Sequence, residues 1–149
     1  MPRVVAALVV AAAIAGGCSS KSTTTTVSSA IDLTGTWATS LSVLGNTARM
    51  TWTLTQRDAA VTGPVLVSLP TGTVILNGFL TGTLSGSNLT YTISVAPGGI
   101  PTQPTCVGQV GGTMVATLGT VSTLSGTSTV TGSNCTPPFP GGAITLTKQ

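Results

Sequence analysis

Strict alternation of apolar residues with Thr or Ser most strongly limits how this chain can fold. Residues 50–55 read Met-Thr-Trp-Thr-Leu-Thr, residues 89–95 read Leu-Thr-Tyr-Thr-Ile-Ser-Val, and residues 144–147 read Ile-Thr-Leu-Thr. Successive side chains of a β-strand point to opposite faces, so this period of two predicts antiparallel strands with one buried face. Because no alanine-rich helical stretch follows the N-terminal segment, the sequence predicts an all-β domain.

Glycine-containing turns divide the alternating segments into eight predicted strands. Gly-Thr occurs at Gly35, Gly72, Gly82, Gly112, Gly119 and Gly126, and Gly-Ser-Asn occurs at residues 86–88 and 132–134. We interpret both as turns that separate strands. The predicted strands are residues 33–43, 49–57, 60–68, 73–84, 88–96, 106–117, 120–131 and 142–148. Asn77-Gly78 is a strong hairpin signal, but we interpret it as a bulge that bends one long strand.

Eight strands in up-and-down order predict an antiparallel meander that closes into a small barrel, with a β-sandwich as the alternative. In a meander, every second connection lies at the same end. Residues 44–48, 69–72, 96–105 and 132–141 would share one end, and the short connections 57–60, 85–88 and 118–119 would lie at the other. The long, proline-containing loops are therefore predicted to lie together.

The N-terminus carries a targeting signal. Arg3 precedes an apolar run at residues 4–15, which is too short to span a bilayer, and small residues then lead into Cys18 and Ser19. This segment resembles the lipobox of bacterial lipoproteins. The resemblance implies a signal peptide at residues 1–17, lipidation of Cys18, and export to the outer membrane, because Ser rather than Asp follows the cysteine. The alternative is an ordinary secretory signal with an incidental cysteine.

The rest of the chain then divides into a polar Ser/Thr-rich tether at residues 18–30 and one domain at residues 31–149. The remaining cysteines, Cys106 and Cys135, are an even pair in an exported protein, which predicts a disulfide. In the meander they would lie at the loop-bearing end of neighbouring strands. The alternative, a metal or redox pair, has little support because the chain has no His and no Cys-x-x-Cys.

Composition argues against catalysis. The chain has no His to act as a general base for a serine nucleophile, and its only carboxylates, Asp32 and Asp58, are predicted to lie before strand one and in a turn. Metal ligands are scarce. The five Lys and Arg residues are too few and too scattered for a nucleic-acid surface. We therefore expect no catalytic residue, no metal, no cofactor and no nucleic-acid partner.

A second resemblance concerns the start of the domain. Gly35-Thr36-Trp37 resembles the Gly-x-Trp signature of lipocalins and avidins. The resemblance implies that Trp37 closes one end of a barrel and that ligands enter at the opposite, loop-bearing end. In lipocalins an Arg near the last strand stacks on this Trp, and here the available cation is Lys148. Biotin is not expected, because avidins surround it with several Trp and this chain has two.

Four further residues are candidates for ligand contact. Trp52 and Tyr91 lie on buried strand faces, where they either pack the core or line a lumen. Ile100 and Phe139 lie beside prolines in the long loops, where each could contact a ligand, form a lid or cap the core.

The expected function is a membrane-anchored, non-enzymatic lipoprotein whose barrel binds a small apolar or amphipathic molecule. A lumen filled throughout by side chains would exclude this function. The alternatives are a structural module that contacts protein or polysaccharide, and a membrane-spanning barrel with apolar residues facing lipid. The last is disfavoured because the lipobox already supplies an anchor.

Overall fold

Eight antiparallel strands form the regular structure of the described residues. The computed structural model describes residues 31–43, 45–135 and 141–149, which contain no helix and hence none that could cross a membrane. The strands are β1 (Gly35–Val43), β2 (Asn46–Arg57), β3 (Ala60–Ser68), β4 (Val74–Ser85), β5 (Asn88–Val95), β6 (Gly108–Thr117), β7 (Thr123–Ser133) and β8 (Gly142–Lys148). Each strand pairs with the next, and β8 pairs with β1 to close a barrel. The predicted meander barrel is confirmed, and the β-sandwich alternative is wrong.

Most predicted strand bounds agree closely with the structure. Strands β3 and β8 begin and end at the predicted residues, whereas β2 begins three residues earlier and β7 begins three residues later. The late start of β7 lengthens the β6–β7 connection to residues 118–122. Within this connection the Ser122 carbonyl accepts a hydrogen bond from the Lys148 N–H at 3.0 Å.

The Asn77-Gly78 dipeptide lies inside β4 and forms no turn. Asn77 pairs with Leu66 and Gly78 with Val65, and the register shift of this ladder occurs two residues earlier, at Ile75. The predicted bulge therefore exists in β4, but its predicted position was wrong. A side chain at Gly78 would press on Ile93, with the added Cβ 2.9 Å from Cγ2. Glycine at this position lets β4 pack closely against β5. The pairing of β4 with β3 and β5 outweighs the local preference of Asn-Gly for a hairpin turn.

Three of the six Gly-Thr pairs do not separate strands. These pairs begin at Gly82 in β4, Gly112 in β6 and Gly126 in β7, and all three glycines face inward. Their interpretation as turns between strands was wrong. A Cβ at Gly112 would overlap the Thr127 carbonyl, and one at Gly126 would overlap the Thr113 carbonyl. Glycine at these positions lets adjacent backbones approach closely, which a small, sharply curved barrel requires.

Apolar side chains of the strands face the lumen, and most Thr and Ser side chains face outward. The largest fully buried side chains are Trp37, Trp52, Leu33, Leu54, Leu80, Leu89, Met114, Leu124, Leu146, Val61 and Val65. The outer wall carries opposed Thr pairs such as Thr83–Thr90 and Thr113–Thr127. This polarity is the reverse of that expected if the apolar faces of the strands contacted lipid.

Replacing Gly126 by Ala tests the role of the inward glycines. We expect Gly126→Ala to lower the free energy of unfolding by about 2–3 kcal/mol, as overpacking does, because the added methyl group overlaps backbone that cannot rotate away. The matched control is Gly132→Ala in the same strand, where nothing lies within 4 Å of the added group. It should change stability by less than about 0.5 kcal/mol. Urea denaturation measures both, and equal stability of the two variants would contradict the proposed role.

Candidate functional site

One end of the barrel is closed by the segment that leads into β1. Trp37 is fully buried and donates a hydrogen bond from Nε1 to the Leu33 carbonyl at 2.8 Å. The Leu33 N–H donates to Gln56 Oε1 at 2.9 Å, and Gln56 Nε2 donates to the Ile31 carbonyl at 3.0 Å. Residues 31–34 are thus held across the end that carries the short turns, hereafter the short-turn end. Trp37 lies at this end, opposite the long loops.

Lys148 covers the outer side of this closure. Its Nζ lies 5.4 Å from the centroid of the Trp37 ring and donates to the Asp32 carbonyl at 3.4 Å. Lys148 and Trp37 are also directly opposed in the β1–β8 ladder. The side chain therefore occupies the position that the lipocalin resemblance assigns to an Arg, with a cation over the face of the aromatic ring.

The opposite end, hereafter the loop end, carries the disulfide. Cys106 and Cys135 are bonded, with their Cα atoms 5.0 Å apart, which confirms the predicted pairing. Ile100 is buried in a small cluster with Val95 and the two cysteines. Backbone hydrogen bonds within residues 96–107 hold this loop, and the Asn77 N–H joins it to β4 by donating to the Gly99 carbonyl at 2.7 Å.

Ile100, in the β5–β6 connection, is 8% exposed. Its side chain packs in the small cluster with Val95 and the two cysteines, which is separate from the main core. Phe139, the other loop candidate, and Cys18, the lipidation candidate, lie outside the described residues.

Trp52 and Tyr91 meet in the middle of the lumen. Their ring centroids are 5.1 Å apart, and the side chains are 1% and 3% exposed. Neither Trp52 Nε1 nor the Tyr91 hydroxyl has a hydrogen-bond partner among the described residues. Burial raises the pKa of Tyr91 to about 12. A buried polar group without a partner costs about 1–3 kcal/mol, so this pair is more than a simple apolar core contact.

Glycines flank Tyr91 on both sides. Tyr91 lies directly opposite Gly82 on β4 and Gly112 on β6, and a Cβ at Gly112 would lie 3.3 Å from the tyrosine hydroxyl. On the far side of Gly112 the opposed residue is Ser128, which also faces the lumen. The phenol therefore reaches across β6 towards β7. The alternation in the sequence placed Tyr91 on an inward face, but the glycines beside it depend on strand register.

The two halves of the lumen differ in burial. Inward apolar side chains of the strands are buried at the short-turn end, whereas several at the loop end are only partly buried. We call the partly exposed inward set the loop-end lumen, and its members are Thr39, Leu41, Val43, Val110, Ser128, Val130 and Ile144. The loop-end lumen is mainly apolar, with two hydroxyl groups. Sequence reasoning missed this set, because alternation predicts which side chains face inward but not which half of a barrel is filled.

The seam between β1 and β8 explains part of this opening. The described residues of the two strands pair at only two positions, Trp37–Lys148 and Ala38–Thr147. By contrast, β1 pairs with β2 along its whole length, from Gly35 to Val43. The barrel wall is therefore closed by hydrogen bonds at the short-turn end, and these two strands have no ladder at the loop end within the described residues.

Charged groups lie away from the loop-end lumen. Asp32, Arg57, Asp58 and Lys148 lie at the short-turn end, and Arg49 lies on the outer wall, where Nη2 donates to Gln149 Oε1 at 2.7 Å. Hydrogen bonds from the Thr34 side chain and backbone lower the pKa of Asp32. Among the described residues, no cluster of three His, Cys, Asp or Glu side chains could hold a metal ion.

The chain matches no protein-family model, no curated protein and no solved structure. The fold therefore defines only a structural class: a closed barrel of eight antiparallel strands in meander order, with one packed end and one partly open, apolar end.

The titration of Tyr91 tests whether water is excluded from the contact between Tyr91 and Trp52. Tyr91 is the single tyrosine of the chain, so tyrosinate absorbance reports one group. We expect ionisation near pH 12 in the folded protein and near pH 10 in denaturant. Because the unfolded chain loses this proton first, the free energy of unfolding should fall as the pH rises from about 10 towards 12.

Tyr91→Phe is the control for that titration. The variant should lose this part of the alkaline destabilisation and should be at least as stable as the wild type at neutral pH, because an unsatisfied hydroxyl is removed. A folded-state titration near pH 10 would show instead that water reaches the hydroxyl.

Proposed function

We propose that this protein is a non-enzymatic bacterial lipoprotein, anchored through Cys18 in the outer membrane, whose barrel binds a small apolar or amphipathic molecule. The observation that carries the ligand proposal is the contrast between the filled short-turn half and the partly exposed apolar side chains of the loop-end lumen. The anchor rests on the lipobox resemblance at residues 15–18. Acyl chains contribute about 0.8 kcal/mol for each buried CH₂, and more than one chain gives stable attachment.

The packed short-turn half limits the size of the ligand. Trp37, Leu124 and Leu146 are among the fully buried side chains there, so a bound molecule would lie in the loop half. Each 100 Å² of apolar surface buried by such a ligand would contribute about 2.5 kcal/mol before the entropic cost of association. We therefore expect a small molecule bound with modest affinity.

The polar groups near the lumen indicate the chemistry of the ligand. Thr39 and Ser128 offer hydroxyls at the opening, and the Trp52 indole and Tyr91 phenol lie deeper. No charged side chain of the described residues faces this region, and an unpaired charge is costly to bury. These features favour an uncharged apolar molecule, or an amphipathic one with a hydroxyl, ester or similar polar group.

The alternative function, a structural or interaction module that contacts protein or polysaccharide, is favoured by a feature of the outer wall. Thr81, Thr83, Thr90 and Thr92 surround a shallow open depression of about 350 Å³ above Gly82. Phe79, which is 50% exposed, precedes Thr81 by two positions on the same outer face of β4. Hydroxyl groups beside an exposed aromatic ring suit a neutral polysaccharide or a protein surface.

Native mass spectrometry of residues 31–149, purified from a lipid-containing extract, separates the two functions. The lipocalin-like function predicts an extra mass that is lost on denaturation, and that mass identifies the ligand. A bare mass, together with no binding of the uncharged dye Nile red, would favour the interaction module.

Ile144→Arg tests where binding occurs. It introduces a cation into the loop-end lumen and should weaken Nile red binding by at least about tenfold, since a guanidinium in an apolar site is costly. The matched control is Val115→Arg on the outer wall, where the wild-type side chain is already 46% exposed, and it should bind normally. Equal loss in both variants, or in neither, would contradict binding in the loop-end lumen.

Cys18→Ser tests the anchor. The variant should lose the acyl mass and leave the membrane fraction, whereas Ser19→Ala should keep both, because the modified thiol is intact. Intact mass and membrane fractionation measure the outcome. Retention of Cys18→Ser in the membrane would contradict a lipid anchor at this residue.

A further inference from the structure

The β6–β7 connection exposes two aliphatic side chains at the short-turn end. Val121 is 63% exposed and Leu118 is 45% exposed, within a connection of five residues, 118–122. The neighbouring connections at this end are the shorter turns at residues 58–59 and 86–87. The β6–β7 connection therefore presents an apolar tip, Leu118 and Val121, at the end of the barrel that Trp37 closes.

This apolar tip lies beside the point where the N-terminal segment joins the barrel. Ser122, which follows Val121, accepts a hydrogen bond from the Lys148 N–H at 3.0 Å. Lys148 Nζ in turn donates to the Asp32 carbonyl at 3.4 Å. One residue thus links the β6–β7 connection to the start of the domain, so any anchor on residues 18–30 pulls on the barrel next to Val121.

We propose that the short-turn end docks on the lipid bilayer surface, with Val121 and Leu118 inserted among the headgroups, so that the loop end faces away from the membrane. The inference rests on the proposed lipidation of Cys18 and is independent of ligand binding. The occupant is a lipid surface because the exposed aliphatic groups and the attachment point of the predicted lipid tether are at the same end of the molecule.

The length of the tether makes so small a contact effective. The predicted Ser/Thr-rich tether has 12 residues between Cys18 and Ile31. Ser-rich linkers of this length have an end-to-end distance of about 20 Å. Linkage of this kind gives the second contact an effective concentration in the millimolar range. Two aliphatic side chains that could not hold a free protein on a membrane can then orient a tethered one.

The charges at this end indicate that the contact is apolar rather than electrostatic. Arg57 and Lys148 are balanced by Asp32 and Asp58, and all four lie at the short-turn end. Because these four described side chains carry no net charge, they give anionic lipid little attraction. Docking should therefore depend weakly on salt, unlike the binding of a polybasic surface.

Tryptophan quenching by brominated lipids tests the orientation. The full-length acylated protein, its modification verified by intact mass, is reconstituted into phosphatidylcholine vesicles with brominated chains. Val121→Trp should show quenching at least about twofold greater than the wild type, because the new indole would lie within the headgroup region. Trp37 and Trp52 are buried and form a common background. Leu118→Trp provides a second probe should Val121→Trp fold poorly.

The matched control is Leu66→Trp, which places an indole on the outer wall of β3, near the loop end. It should be quenched no more than the wild type, and high salt should leave the Val121→Trp signal unchanged. Quenching of Leu66→Trp equal to that of Val121→Trp, or no quenching above the wild type in either variant, would overturn the docking proposal in a protein of verified acylation. Absence of the acyl mass would instead count against the anchor itself.

Discussion

Closure of a small eight-stranded barrel is the constraint on which the rest of this structure depends. Neighbouring backbones must approach more closely at the inward bends than a side chain allows, and the chain places Gly63, Gly82, Gly112 and Gly126 there. These glycines, rather than the turns, make the curvature possible, because a Cβ at each would meet a carbonyl oxygen of a neighbouring strand. One of them, Gly112, also leaves room for the phenol of Tyr91, so the same requirement that closes the wall shapes the interior.

Within the described residues, β1 and β8 pair only at the short-turn end of the barrel. At the short-turn end, two ladder pairs are reinforced by the Gln149 N–H, which donates to the Thr36 carbonyl at 2.9 Å, and by the Arg49–Gln149 side-chain hydrogen bond. Trp37 and Lys148 stack at the same place. At the loop end the seam has no such ladder within the described residues. This asymmetry explains part of the difference between the buried apolar side chains of the short-turn half and the partly exposed Leu41 and Ile144 of the loop half, and the ligand proposal follows from that difference.

The alternation of apolar and polar residues predicted most of the fold correctly, and the reason is physical. A period of two reports directly which side of a strand is buried, so strands, meander order and the inward positions of Trp52 and Tyr91 followed from local pattern. What failed depended on partners across the sheet. The bulge at Ile75, two residues from Asn77-Gly78, is set by the register with β3. The inward glycines were interpreted as turns, because a single Gly in the sequence does not show that a backbone carbonyl of a neighbouring strand lies against it. The exposure of Val110 or Ser128 depends on how far the seam closes, which no local pattern encodes.

The same asymmetry bears on the proposed anchor. The predicted tether would join the domain at the packed end, where hydrogen bonds through Gln56 and Lys148 hold residues 31–34 across the lumen. Tension or contact at a membrane would then act on this hydrogen-bonded end rather than on the loop end. A barrel attached in the reverse sense would place its least-paired seam against the lipid and obstruct its own opening. On the docking proposal, the position of the chain's entry, the buried Trp37 and the apolar side chains of the β6–β7 connection would form one arrangement, in which the closed end rests on the membrane and the loop end remains accessible.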